Sequence, residues 1–169
     1  LSQPVKGVVE FRDVSFRYPG ADADVLEHVS FVARPGQTTA FIGSTGSGKS
    51  TLINLIPRFH DVSEGSITLD GVDIRDLPQK ELRDAIGYVP QKGLLLRGTV
   101  ESNLRYGNSD ASQDTIDTSA RIAQASEFIS HLDQGMQTPI SQGGTNVSGG
   151  QRQRLSIARA LAKEAPVYI

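Results

Sequence analysis

The stretch Gly43-Ser44-Thr45-Gly46-Ser47-Gly48-Lys49-Ser50, followed by Thr51, constrains this chain more than any other. It fits G-x-x-x-x-G-K-[ST], a spacing that wraps backbone amides around phosphate oxygens. Glycines let successive N–H groups converge without a Cβ in the way. Lys49 would set an ammonium against the β- and γ-phosphates, and Ser50 a hydroxyl against Mg2+. A β-rich run, Thr38-Thr39-Ala40-Phe41-Ile42, enters the loop. A helical run leaves it, with Leu52, Ile53, Leu55 and Ile56 able to face a sheet. The helix N-terminus adds its partial positive charge to the cradle. Strand, loop and helix in this order predict an α/β fold with its ligand at the strand ends.

The remainder of the chain fits around that core. Val9 and Phe11 alternate with polar neighbours, and Val14, Phe16 and Tyr18 continue on the opposite parity. A parity change near Asp13 predicts a bulge or turn there. Val29 to Val32 reads as a further strand, and Asp70-Gly71 between Ile67/Leu69 and Val72/Ile74 as a hairpin turn. Gln79 to Ile86 reads as a short helix, and Gly87-Tyr88-Val89-Pro90 as a short buried strand. From about residue 93 helix and loop dominate. A last helix is expected from about Gly150 to Ala162, stopped by Pro166, with Val167-Tyr168-Ile169 beginning a buried strand.

Composition narrows the class of molecule. The 169 residues carry 17 basic and 19 acidic side chains, 37% hydrophobic and 21% charged, which suits one globular domain of ordinary solubility. The formal charge of −2 supplies no basic stripe for a nucleic-acid partner. No apolar run is long enough to span or insert into a bilayer. There is no cysteine, hence no disulfide and no thiolate metal site. His28, His60 and His131 lie far apart without metal-ligand spacing and read as ordinary surface or half-buried residues. The opening Leu1-Ser2-Gln3 is read as a cut from something longer.

A second anion-receptive segment opens the last helix. In Val147-Ser148-Gly149-Gly150-Gln151-Arg152-Gln153-Arg154, Ser148 is a good N-cap, and the glycines leave the first amides uncovered. One nucleotide needs one phosphate cradle, so a second serves another nucleotide. Here the chain resembles the nucleotide-binding domains of ABC ATPases: Gly43–Ser50 resembles their Walker A loop, and Ser148-Gly149-Gly150-Gln151 their signature motif, with Val147 in place of the usual Leu. The alternative for residues 148–154 is a plain capped helix with an Arg-rich solvated face.

The resemblance covers about Val8 to Ile169 and implies the rest of the site. It implies a P-loop fold with a mainly parallel core, an N-terminal antiparallel β portion and a helical subdomain. It divides 1–169 into a β portion with Walker core (1–92), a helical subdomain (93–162) and the start of the Walker B strand (163–169). Tyr18 resembles the A-loop aromatic that stacks on adenine, and Gln91 the Q-loop glutamine that reaches Mg2+ and the attacking water. The implied ligand set is therefore Tyr18, Gly43, Ser44, Thr45, Gly46, Ser47, Gly48, Lys49, Ser50 and Thr51, with Ser148, Gly149, Gly150 and Gln151 for the ATP of a second copy. Lys49 and Gln91 act in catalysis, while Ser50 and Gln91 serve the metal.

Residues 70–75, 98–104 and 148–161 follow the exporter style, although Gln142 stands where exporters usually carry Glu. This implies an ATP-driven exporter domain that pairs head to tail with a second such domain, contacts transmembrane domains and lies at the cytoplasmic face of a membrane. The family's Walker B Asp, catalytic Glu, D-loop and switch His would follow Ile169. The chain by itself is therefore expected to bind nucleotide and to hydrolyse it poorly. The resemblance leaves two alternatives open: an ATP-holding, weakly hydrolysing half of an asymmetric exporter, and a soluble ABC ATPase uncoupled from transport.

Overall fold

Alternating apolar residues form β1 (Val9–Phe16), which pairs antiparallel with β2 (Leu26–Ala33) on one edge and β3 (Glu64–Leu69) on the other. β3 turns back into β4 (Val72–Asp73), giving the order β2-β1-β3-β4. The expected bulge is present. Register slips between Phe11 and Val14 against β2 and between Arg12 and Ser15 against β3, with Asp13 at φ 49°. The extra residue returns Val14 and Phe16 to the side already faced by Val9 and Phe11, so all four are buried. Gly65 lies across from the bulge, where a Cβ would come within 2.4 Å of the Arg12 carbonyl. Asp70 and Gly71 both have positive φ, as a two-residue type I′ hairpin requires.

The computed structural model describes residues 1–169 as two compact units, Leu1–Ile86 and Gly87–Ile169. The first also holds α1 (Lys49–Leu55) and α2 (Gln79–Asp84). One sequence expectation fails here. Thr38 to Ile42 is not a strand: the segment joins no ladder, and Ile42 is 97% exposed. High β-propensity makes a strand only where a neighbour accepts the ladder bonds, and this four-stranded sheet places none beside it. The Phe41 ring instead meets Phe31 edge-on at 4.9 Å.

The second unit contains β5 (Ile86–Gly87, straddling the boundary), β6 (Gly98–Thr99), α3 (Val100–Leu104), α4 (Gln113–Ile122), α5 (Ser126–Ser130), β7 (Pro139–Ile140), α6 (Gly149–Ala162) and β8 (Val167–Tyr168). Its core gathers Val100, Leu104, Ile116, Ile140 and Leu155 from four of these segments, with Leu95 from the loop before β6. Each longer helix starts on a hydroxyl: Ser112 caps α4, and Ser148 caps α6. Asn103 is buried with its amide fully used, accepting from Leu96 N and donating to the carbonyls of Leu96 and Thr99. α6 ends with Glu164 in the left-handed region, two residues before Pro166. Ile169 then donates to Gly87 O (2.9 Å) and accepts from Val89 N (2.7 Å), the bond pattern of a parallel pair.

Leu155→Ala removes a fully buried side chain from the centre of this core. It is expected to destabilise the unit by about 2–5 kcal/mol in urea unfolding. A loss below about 1 kcal/mol would mean that α6 does not anchor the core.

Candidate functional site

The loop 43–50 is open. Gly46 and Gly48 take φ of 84° and 89°, which turns successive amides toward one side. Ser47 spends its amide on Ser44 O, while those of Gly46, Gly48, Lys49 and Ser50 have no protein acceptor. The Lys49 ammonium lies across the loop, donating to Gly43 O (2.6 Å), Ser44 O (2.7 Å) and Ser47 Oγ (3.2 Å). Ser50 Oγ is exposed and makes no bond to the protein. A positive charge and several unspent donors thus share one short, solvent-exposed loop.

Thr51 is buried on the first turn of α1, and its Oγ1 meets the Tyr18 hydroxyl at 2.9 Å. Tyr18 is half-buried beyond the end of β1. Its ring stands edge-on to Phe16 (4.8 Å, 82°) and to His60 (5.4 Å, 84°). Beside it opens a cleft of about 430 Å³ lined by Ser15, Arg17, Tyr18, Asp24, Ser63 and Glu64. Arg17 and Asp24 close one side as an ion pair at 2.8 Å.

In the second unit, residues 148–151 form a capping box. Gln151 N donates to Ser148 Oγ (3.1 Å), and Ser148 N donates to Gln151 Oε1 (3.0 Å). The Gly149 and Gly150 amides have no protein acceptor and are exposed at the head of a 14-residue helix. Val147 turns inward and is buried in the core, so this position is filled by an apolar anchor whether it is Val or Leu. The Arg152 side chain does not lie on a solvated face. It folds back and donates to Val147 O (2.8 Å) and Gly144 O (3.1 Å), holding the loop that leads into the helix. Asn146 staples the same loop, donating to Pro139 O and accepting from Ser141 N. Gln142 lies in a single 3₁₀ turn within it.

Gln91 is exposed in the bend that follows β5. That bend is attached to α6 by Gln153, whose Nε2 donates to Pro90 O (3.3 Å). Gly93 lies so close that a Cβ would come 2.8 Å from the backbone of Arg152 and Gln153.

The structure thus brings Tyr18 to Thr51, next to the loop 43–50, in the first unit, and the Gln91 bend to α6 in the second. Sequence reasoning took His60 for an ordinary residue and gave Asn146, Arg152 and Gln153 no individual role. The glycine pattern and the Ser-x-x-Gln spacing were visible locally; these four act across turns, and only the two glycines before Arg152 hinted that it faces a loop. His131 is ordinary, bonding Glu127 O from an exposed position. His28 is exposed and pairs with Asp13 at 2.9 Å, and this carboxylate raises the imidazole above its usual range. No cluster of three His, Asp or Glu side chains could hold a metal on its own, and no helix is long and apolar enough to cross a membrane.

Comparison with known proteins agrees with this geometry. The family described as ABC transporter matches residues 26–169, which leaves Tyr18 outside the matched range. The ATP-dependent lipid A-core flippase of Pseudomonas aeruginosa is 48% identical over 166 residues, 98% of this chain and 28% of that protein. The ABC transporter ATP-binding protein YfiB of Bacillus subtilis is 46% identical over 169 residues, 100% of this chain and 30% of that protein. The chain thus spans less than a third of the length of the curated relatives it matches. Among solved structures, a bacterial Atm1-family ABC exporter with ATP bound superposes with a TM-score of 0.90 at 37% identity, over 99% of this chain and 30% of that one. A P-loop fold, a second anion-receptive helix and identity at this level over nearly every residue have one reading: the chain belongs to the ABC transporter family.

Proposed function

We propose that this chain is the ATP-binding cassette of an exporter and that it grips Mg-ATP in two halves. The observation that carries the proposal is the loop 43–50, with four unspent amides and the Lys49 ammonium lying across it. A triphosphate is the ligand whose charge and reach match it. Lys49 and the amides of residues 43–51 take the phosphates, and Tyr18 takes the adenine ring. Ser50 Oγ, free of protein bonds, fits Mg2+ together with phosphate oxygens, and the metal role proposed for Gln91 rests on the family resemblance alone. The metal would neutralise charge on the β- and γ-phosphates.

Ser148, Gly149, Gly150 and Gln151 are assigned to the nucleotide of a second cassette in a head-to-tail pair. In the whole protein, pairing on ATP and its release by hydrolysis would drive transport through membrane-embedded domains, with the cassette at the cytoplasmic face. Within residues 1–169 we assign no water-activating carboxylate, so hydrolysis is proposed for the whole protein only.

Calorimetry of the intact protein with Mg-ATP tests the binding half; absence of heat at millimolar nucleotide would refute it. Tyr18→Ala is expected to weaken binding by ~1–3 kcal/mol through loss of base stacking. Affinity equal to that of the unsubstituted protein would return Tyr18 to a packing role.

A further inference from the structure

We propose that His60 is a positioning residue for base recognition, setting the orientation of the Tyr18 ring from the bend that follows the phosphate-loop helix; this rests on the nucleotide reading above. Tyr18 follows β1, yet two of its three holds come from α1 and the bend that follows it. Thr51, on the first turn of α1, takes the ring's hydroxyl at 2.9 Å, and His60, five residues beyond Leu55, meets the ring at 5.4 Å and 84°. The third hold is Phe16, which His60 also touches at 5.6 Å. The base platform is thereby tied through Thr51 to the helix that leaves the phosphate loop, and through His60 to the bend that follows that helix. Perpendicular ring pairs at this separation carry a geometric preference beyond the area they bury.

His60 is exposed, and an exposed loop residue positions nothing unless its loop is fixed. This loop is fixed on both sides of the imidazole. Arg58 and Asp61 form a two-pronged ion pair at 2.5 and 3.2 Å that closes residues 58–61. Arg58 also donates to Arg75 O (3.2 Å), and Arg83 donates to Pro57 O (3.1 Å) while its guanidinium lies 5.4 Å from the Phe59 ring centre. Phe59 N returns to Asn54 O on α1. The histidine is therefore held at a set distance from Tyr18 by bonds that do not involve Tyr18.

The test is competition against a fluorescent ATP analogue in the intact protein, with Mg-ATP and Mg-tripolyphosphate as paired probes. His60→Ala is expected to weaken Mg-ATP about three- to tenfold and leave tripolyphosphate unchanged. His60→Phe, which restores a ring, is expected to restore Mg-ATP affinity. Equal weakening of both probes would overturn the inference, because His60 would then act through the phosphate loop or the fold. Unchanged Mg-ATP affinity, or no rescue by Phe, would overturn it as well. If His60→Ala does not fold, His60→Asn takes its place with the same criteria. An unsubstituted protein that binds neither probe would refute the nucleotide reading itself, an outcome separate from any of these.

Discussion

Lys49→Ala is expected to bring Mg-ATP binding below detection by calorimetry while leaving the far-UV circular dichroism unchanged. The ammonium now rests on Gly43 O, Ser44 O and Ser47 Oγ, so the side chain both tethers the loop and supplies its charge. Charge-assisted hydrogen bonds contribute about 1.5–3 kcal/mol each. Losing two to the phosphates would weaken binding by about 10²- to 10⁴-fold. The lysine is only partly buried and α1 packs through Leu52 and Leu55, so the fold has little to lose. Affinity that survives the substitution would remove the cradle from the mechanism.

Ser148→Arg is expected to abolish ATP-driven pairing of cassettes in light scattering while monomer affinity for Mg-ATP stays as it was. Ser148 is on a different unit from the phosphate loop, and its neighbours Gly149 and Gly150 present open amides. An arginine there fills the space that a partner's triphosphate would enter. The substitution also deletes the cap on Gln151 N, worth about 0.5–2 kcal/mol of helix stability. Ser148→Asp separates the two effects. Aspartate caps as well as serine, but its carboxylate repels phosphate, so pairing is expected to fail with the helix intact. Pairing by the Asp variant at unsubstituted strength would contradict the second cradle.

What could be read from the chain and what could not divide along a physical line. The bulge at Asp13, the Asp70-Gly71 hairpin, the phosphate loop and the cap at Ser148 are written in residues a few positions apart, where backbone sterics and local hydrogen bonds decide. Thr38 to Ile42 has strand composition, but a ladder partner is a property of the sheet, and composition could not supply one. The meeting of Tyr18 and His60 depends on where α1 ends and on the Arg58–Asp61 clamp, neither of which any periodicity announces. The alternative of an Arg-rich solvated face over 148–154 fails at Arg152, because a guanidinium can satisfy carbonyls of its own approach loop as readily as water.

The close approach of Gly93 to α6 has a mechanical consequence. Where two main chains touch without an intervening side chain, any larger residue at position 93 must push them apart, and the Gln153 bond to Pro90 O ties the same two segments a second time. The bend bearing Gln91 and the first turns of α6 therefore keep their spacing only while position 93 carries no side chain.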